Sequence, residues 1–264
     1  MKEVYTHRYA ITAADMDQHY RMNPHAVLLY FQDCFARHMT CHHVAAFDLV
    51  KQQKMWVFTE YDAELTPIDT LWTEEIDVSL WVSEITSLRI YCDFRIHKAD
   101  GGAEVAHGCG QMCLLDIPSR RLEQTALIAD HLTVVPDLTV SHRKQRFPKG
   151  TDIIVSNDHK VNRLDVDFNG HVNNRSYLSI ALVTMPDVFL PHHTLSHISI
   201  HWLHETYLND TLHCDLYAIP SDDALTSEFV HSLRSSDGAE AAQVHTLWRP
   251  LTHIPDITEV LVRK

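Results

Sequence analysis

LDVDFNGHVNNRSYLSIAL, running from Leu164 to Leu182, sets two aspartates, three asparagines and a histidine directly ahead of an apolar run. A polar knot ending in asparagines before such a run reads as a capped helix, begun near Asn173 and stopped near Pro186. Gly170 lies inside the knot, in a chain that has only 7 glycines. A glycine there either supplies positive φ to a turn or lets a substrate approach the backbone.

An altered copy, ADMDQHYRMNPHAVLLYF, spans Ala14 to Phe31. At an offset of 150 positions, Asp15 lies over Asp165, Asp17 over Asp167 and Asn23 over Asn173. Further on, ELTPIDTL from Glu64 matches ETYLNDTL from Glu205 at an offset of 141. Each half also carries a late turn signal, KADGG at Lys98 and SSDG at Ser235. The same landmarks in the same order imply an internal duplication. In the first copy His19 stands where the second has Asn169, and Arg21 where it has His171. The first half is therefore expected to be chemically silent.

Both halves follow one plan. A short strand leads through the knot into a helix, and the first helix has Asn23 as N-cap and Pro24 at its first position. Its opening turns are apolar nearly all round, as in a buried helix. Alternation follows: Ile76, Val78, Leu80 and Val82, then Leu88, Ile90, Cys92, Phe94 and Ile96 with Arg89, Tyr91, Asp93 and Arg95 between them. Period two over that length predicts antiparallel strands with one wet face. Leu212, Cys214 and Leu216, and later Val244, Thr246 and Trp248, repeat the habit. The expected fold is α+β, a long antiparallel sheet wrapped round one buried helix, made twice. The halves are placed at residues 1–135 and 151–264. Residues 136–150 form a basic linker carrying Arg143, Lys144, Arg146 and Lys149.

Composition narrows the class. A 264-residue chain with 45% hydrophobic residues can build a sizeable core. Its net charge of -13 argues against nucleic acid or an anionic membrane as main partner. No stretch is apolar for long enough to span a bilayer. The opening MKEVYTHRYAITAADMD shows no basic leader or apolar signal core, so a cytoplasmic location is expected. The 6 cysteines then read as reduced thiols, with Cys109 and Cys113 as small buried strand residues. The 21 histidines include His42-His43, His192-His193 and the His201/His204 pair, but no His-Glu-x-x-His pattern. No metal or other cofactor is expected.

The string DVDFNGHVNNRSYL resembles the signature of acyl-acyl-carrier-protein thioesterases, the double hot-dog enzymes of plants and bacteria. MNPHAVLLYFQDCFARH is similar to the N-terminal hot-dog helix of that family, and HWLHETYLNDTL to its strand with the acidic residue. The resemblance covers about Tyr5 to about Trp248. It implies a tandem hot-dog fold and hydrolysis of acyl-acyl-carrier-protein, with Asp167, Asn169, His171 and Glu205 at the active-site positions. The partner it implies is an acyl carrier protein bearing its chain on phosphopantetheine. A second copy of this chain is a further candidate partner. Plant members place a cysteine after the acidic residue; Thr206 stands there instead, which argues against a thiol nucleophile. An acyl-coenzyme A thioesterase and a non-catalytic acyl-binding module are the alternatives. A hot-dog hydratase is disfavoured, because Asp167 and His171 are four apart rather than five.

Residue chemistry fits hydrolysis. Glu205 is the candidate general base, with His171 as rival or partner. Asp167 would orient Asn169 or the turn, and Asn169 would hold the water or the carbonyl. Gly170, Val172 and Asn173, at the start of the helix, are the candidate oxyanion donors. The first half would supply an acyl pocket from residues such as Tyr30, Phe31, Trp56 and Phe58. Acyl carrier proteins are acidic. Arg143, Lys144, Arg146 and Lys149, joined by Arg120 and Arg121, are therefore the candidate docking patch on a chain whose overall field repels them.

Overall fold

The computed structural model describes residues 4–68, 70–136, 146–150, 152–221, 223 and 225–252. In chain order the first half contains β1 (Tyr5–Ala10), α1 (Pro24–Cys41), the short α2 (Ala46–Leu49), β2 (Lys54–Leu65), β3 (Glu75–Ile85), β4 (Ile90–Lys98), β5 (Glu104–Asp116), β6 (Arg121–Glu123) and the short α3 (Ala126–Ala129). The second contains β7 (Ile153–Lys160), α4 (Asn174–Val183), β8 (His193–Trp202), β9 (Thr211–Ile219), β10 (Ser227–Ser235) and β11 (Glu240–Pro250). All strands join one sheet in the order β1-β3-β4-β5-β2-β8-β11-β10-β9-β7, with β6 added beside β5. Read outward from the β2–β8 seam, the two halves list their strands in matching order. This is the twice-made sheet expected from the repeat, and the tandem hot-dog that the resemblance implies.

Each helix is started by its sequence. The Asn23 side chain accepts the His25 amide at 2.9 Å, with Pro24 first in α1; Asn173 accepts the Arg175 amide in the same way before α4. Residues of α1 then disappear into the sheet's concave face. Phe31 is fully buried and packs its ring 4.9 Å from Phe94 and 5.5 Å from Tyr61. Close approach is possible because β5 carries Gly110 beneath it, where an added Cβ would lie 2.2 Å from the Phe31 ring. Burying a side chain of that size contributes roughly 1.5–3 kcal/mol.

Ile76, Val78, Leu80 and Val82 are all buried, as the alternation requires. Two details differ. Leu88 falls in the turn before β4. Asp93, placed on the wet face by period two, is fully buried, with Ser83, Cys109 and Gln111 buried around it. The Ser83 hydroxyl donates to its carboxylate at 2.8 Å, one of the bonds a buried acid needs.

The seam pairs β2 with β8 from Glu60↔His201 to Glu64↔His197. Backbone bonds also fix the true register of the repeat. Ile11 donates to the Glu74 carbonyl and Val161 to the Asp210 carbonyl, both at 2.9 Å. The Leu71 amide reaches the Glu74 carboxylate as the Tyr207 amide reaches that of Asp210. Glu74 thus answers to Asp210, an offset of 136, and the match of Glu64 to Glu205 is not the structural one. By these bonds Thr206 answers to Thr70, and Glu205 to position 69, which lies outside the described residues. Glu64 lies on β2, exposed, with its carboxylate 3.7 Å from His107.

Candidate active site

The knot between β7 and α4 is a tight turn held by Asp167. The Asp167 amide donates to the His171 carbonyl at 3.0 Å, and its carboxylate accepts the Asn169 amide at 2.8 Å. Gly170 takes φ 82°, and a Cβ there would meet nothing within 4 Å. Backbone conformation, not crowding, explains the glycine. In the first copy Tyr20 takes the same place with φ 59°, and Asp17 accepts the amides of both His19 and Arg21. The aspartate is thus the turn's fastener in both halves. Asp165 and Asp15 act likewise one step earlier, each capping the amide three residues before it.

The turn projects His171 toward Glu205, which follows β8. His171 Nδ1 lies 3.3 Å from Glu205 Oε1. The other carboxylate oxygen accepts the Tyr207 hydroxyl at 3.1 Å and the Arg120 guanidinium, which arrives from the first half. Burial, with the Glu205 charge behind it, pushes the Tyr207 hydroxyl up, so it stays a donor. The Tyr207 ring also stands edge-on to the His171 ring, centroids 5.1 Å apart. The Asn169 side-chain amide is exposed beside the pair, 3.5 Å from Asp167 Oδ2.

These groups open onto a cavity of about 420 Å³. Asp167, Asn169, His171 and Glu205 line it with Tyr177 and Trp202 of the second half, and α1 and β2 of the first half line it through Phe35, Met39, Trp56 and Phe58 among others. Of the residues expected to form an apolar pocket, Trp56 and Phe58 are there. Tyr30 and Phe31 are not: the Tyr30 hydroxyl donates to Asp15 at 2.9 Å and Phe31 belongs to the core. They sit on the side of α1 that meets the sheet.

The expected oxyanion donors need correction. The amides of Gly170, Val172 and Asn173 donate to the carbonyls of Asp167, Thr206 and Asp165 at 3.0, 2.9 and 2.7 Å. Each lies inside the fold's own hydrogen bonding, so none is free for an oxygen in the cavity. The side-chain amide of Asn169, an exposed residue of the cavity lining, is a donor at that place. Thr206 is 1% exposed, its hydroxyl 2.7 Å from that of the cavity-lining Tyr177, and it does not itself line the cavity.

The basic patch divides. Arg143 and Lys144 lie outside the described residues, Arg146 and Lys149 are exposed, and Arg120 is engaged with Glu205. Sequence reasoning noted Arg120 only for its charge and did not single out Tyr207, two residues beyond Glu205. Among the described residues no group of three or more His, Cys, Asp or Glu could hold a metal ion, and no helix is long and apolar enough to cross a membrane.

Two hot-dog halves sharing a sheet, with an imidazole–carboxylate pair in a cavity built by both, define the double hot-dog class. The model for the acyl-ACP thioesterase N-terminal domain matches residues 2–130, and that for the C-terminal domain matches residues 149–250. The chain belongs to the acyl-ACP thioesterase family. A chloroplastic acyl-[acyl-carrier-protein] hydrolase of Cuphea viscosissima is 24% identical over 222 residues, 77% of this chain and 50% of that one. The chain spans about half the length of the curated relatives it matches. Solved structures share the fold. An acyl-ACP thioesterase from Bacteroides thetaiotaomicron has a TM-score of 0.80 at 16% identity, covering 94% of this chain and 98% of its own. The 12:0-ACP thioesterase of Umbellularia californica has a TM-score of 0.79 at 19% identity, covering 94% of each chain.

Proposed function

We propose that the chain hydrolyses the thioester of an acyl chain carried on acyl carrier protein, releasing a free fatty acid and the carrier's thiol. The observation that carries this reading is the His171–Glu205 pair in a cavity that Phe35, Met39, Trp56 and Phe58 also line. Glu205 already accepts from Arg120 and Tyr207 on one oxygen, so its other oxygen is suited to accept His171 Nδ1–H. That contact fixes the tautomer and leaves the Nε2 lone pair to work as base. Glu205 therefore orients, and His171 takes the proton.

Water attacks the thioester carbonyl carbon and gives its proton to Nε2. The oxyanion forms within reach of the Asn169 side-chain amide, a contribution on the order of 10²–10³ in rate. The intermediate collapses, the C–S bond breaks, and the proton on Nε2 passes to the departing sulfur. No covalent acyl-enzyme is needed, in keeping with the buried Thr206. In this reading residues 1–135 supply the chain-binding wall, residues 151–264 the chemistry, and the linker 136–150 the carrier-docking charges.

The test is direct. Acyl-carrier-protein and acyl-coenzyme A panels of graded chain length are incubated with the protein, and free acid and thiol are quantified. Carrier-linked chains should turn over with the higher kcat/KM, and His171→Ala should remove that activity in a folded protein. Acid release unchanged in His171→Ala would overturn the reading.

A further inference from the structure

We propose that Arg120 is a positioning residue for this reaction. It holds Glu205 from the opposite half of the molecule, so that one carboxylate oxygen is kept for His171. The inference rests on the hydrolytic reading above.

Three observations lead to it. First, Arg120 Nη2 bonds Glu205 Oε2, the oxygen that does not face His171, so the guanidinium fixes which oxygen meets the imidazole. Second, the turn bearing Arg120 is fastened for the purpose. Arg120 takes φ 56°, a conformation unfavourable for a long side chain, and its amide donates to the Asp116 carbonyl at 2.9 Å. The Asp116 carboxylate accepts the Ser119 amide and hydroxyl at 2.8 and 2.5 Å and pairs with Lys54 at 2.7 Å. Lys54 also pairs with Glu123 at 2.5 Å, closing the turn on both sides. Lys54 begins β2, the strand that forms both the seam and a cavity wall. Third, the Arg120 side chain is 45% exposed. An ion pair that open to water adds little stability, so stability alone does not explain a contact that crosses between the halves.

The electrostatic consequence follows from the groups that face the pair. Arg120 comes from the β5–β6 turn. Tyr207 and Asp210 come from the loop before β9, His204 adjoins Glu205, and Asp167 comes from the knot. Asp33, across the cavity on α1, is matched by Arg37. Arg120 is thus the cation bonded to Glu205. Without it no cation holds Oε2, the carboxylate is free to turn from Nδ1, and the tautomer that leaves Nε2 unprotonated loses its fixing contact.

The experiment compares Arg120→Gln and Arg120→Lys with the wild type. Two measurements are made: thiol release from a small acyl thioester, and the ring ¹⁵N NMR shifts of neutral His171 in substrate-free protein, its signal assigned with His171→Gln. In Arg120→Gln, kcat should fall about tenfold with KM within about twofold. The ¹⁵N shifts should pass from the single Nδ1–H tautomer of the wild type to a mixture of both tautomers. Arg120→Lys should restore part of kcat and part of the tautomer preference, supplying the charge without the planar fork. An Arg120→Gln protein whose His171 keeps the wild-type tautomer would overturn the proposal, whatever its kcat. A wild type that releases no thiol from any thioester would sink the hydrolytic reading instead, and the tautomer would still decide the role of Arg120.

Discussion

Glu205→Gln is the substitution that separates orientation from proton transfer. The amide has the size of the carboxylate, so the cavity keeps its shape. Arg120 and Tyr207 both donate toward Oε2. They therefore hold the amide oxygen on their side and turn the NH₂ toward His171 Nδ1. An N–H facing Nδ1 makes that nitrogen the acceptor and puts the ring proton on Nε2, the atom that takes a proton from water in the proposed hydrolysis. General-base assistance is worth roughly 10²–10⁴ in rate. A fall in kcat of that size, roughly 3–5 kcal/mol of barrier, is expected. KM for a small thioester should change little, because Glu205 acts through His171. Glu64→Gln is the control: it is exposed on β2 beside His107 and should keep full turnover. Thiol release under saturating substrate, with circular dichroism to verify folding, measures both. A Glu205→Gln protein retaining more than about a third of wild-type kcat would refute the tautomer argument.

Four further outcomes are expected. Asp17→Ala and Asp167→Ala should each lower stability by about 1–2 kcal/mol in denaturant titration, since each strips a turn of its acceptor, but only Asp167→Ala should reduce kcat as well. Thr206→Val should leave at least a tenth of turnover, and mass spectrometry of a quenched reaction should find no acyl group on the protein, because burial pushes the Cys34 and Cys214 thiols up to about 12. Burial lowers His25 and His38 to about 4 and His231 to about 3. Below about pH 6.5 the unfolded chain binds protons at these sites that the folded one refuses, so thermal melts should show stability intact above that pH and falling from there toward pH 4. Reversing the charge of exposed Arg146 and Lys149 should raise KM for acyl-carrier-protein substrates and spare small thioesters, with the wild-type preference fading as salt rises; equal loss on both substrates would discard this docking surface.

The sequence carried the parts of this fold that are periodic or capped. Asn23, Asn173 and the alternation along β3 act locally, and their physics is visible in a few neighbouring residues. The aspartates of the two knots were legible as a pair because both copies need the same turn. What failed was long-range. The offset between the halves shrinks from 150 at the knots to 136 beyond β2, because the second half is shorter between its helix and its strand pair. A string match therefore placed Glu64 against Glu205. The amides of Gly170, Val172 and Asn173 looked available because a helix start has free N–H groups in general. Here neighbouring carbonyls, including that of distant Thr206, claim them. Arg120 could not be read as a partner of Glu205 at all, since only the shared sheet brings the end of β5 to the loop after β8.

That shared sheet has a consequence for how the chain is made. β2 ends at Leu65 and its partner β8 begins at His193, so roughly 130 residues must be synthesised between them. At ribosomal rates of about 5–20 residues per second, the β2 edge emerges roughly 6–26 seconds before anything of this chain can cover it. During that interval an unpaired strand bearing Tyr61 and Ala63, both buried in the finished protein, stands open to any other nascent copy that presents the same edge. The later half is thus the natural shield of the earlier one. Truncation shortly before His193 should yield aggregates or edge-to-edge dimers rather than a soluble single hot-dog.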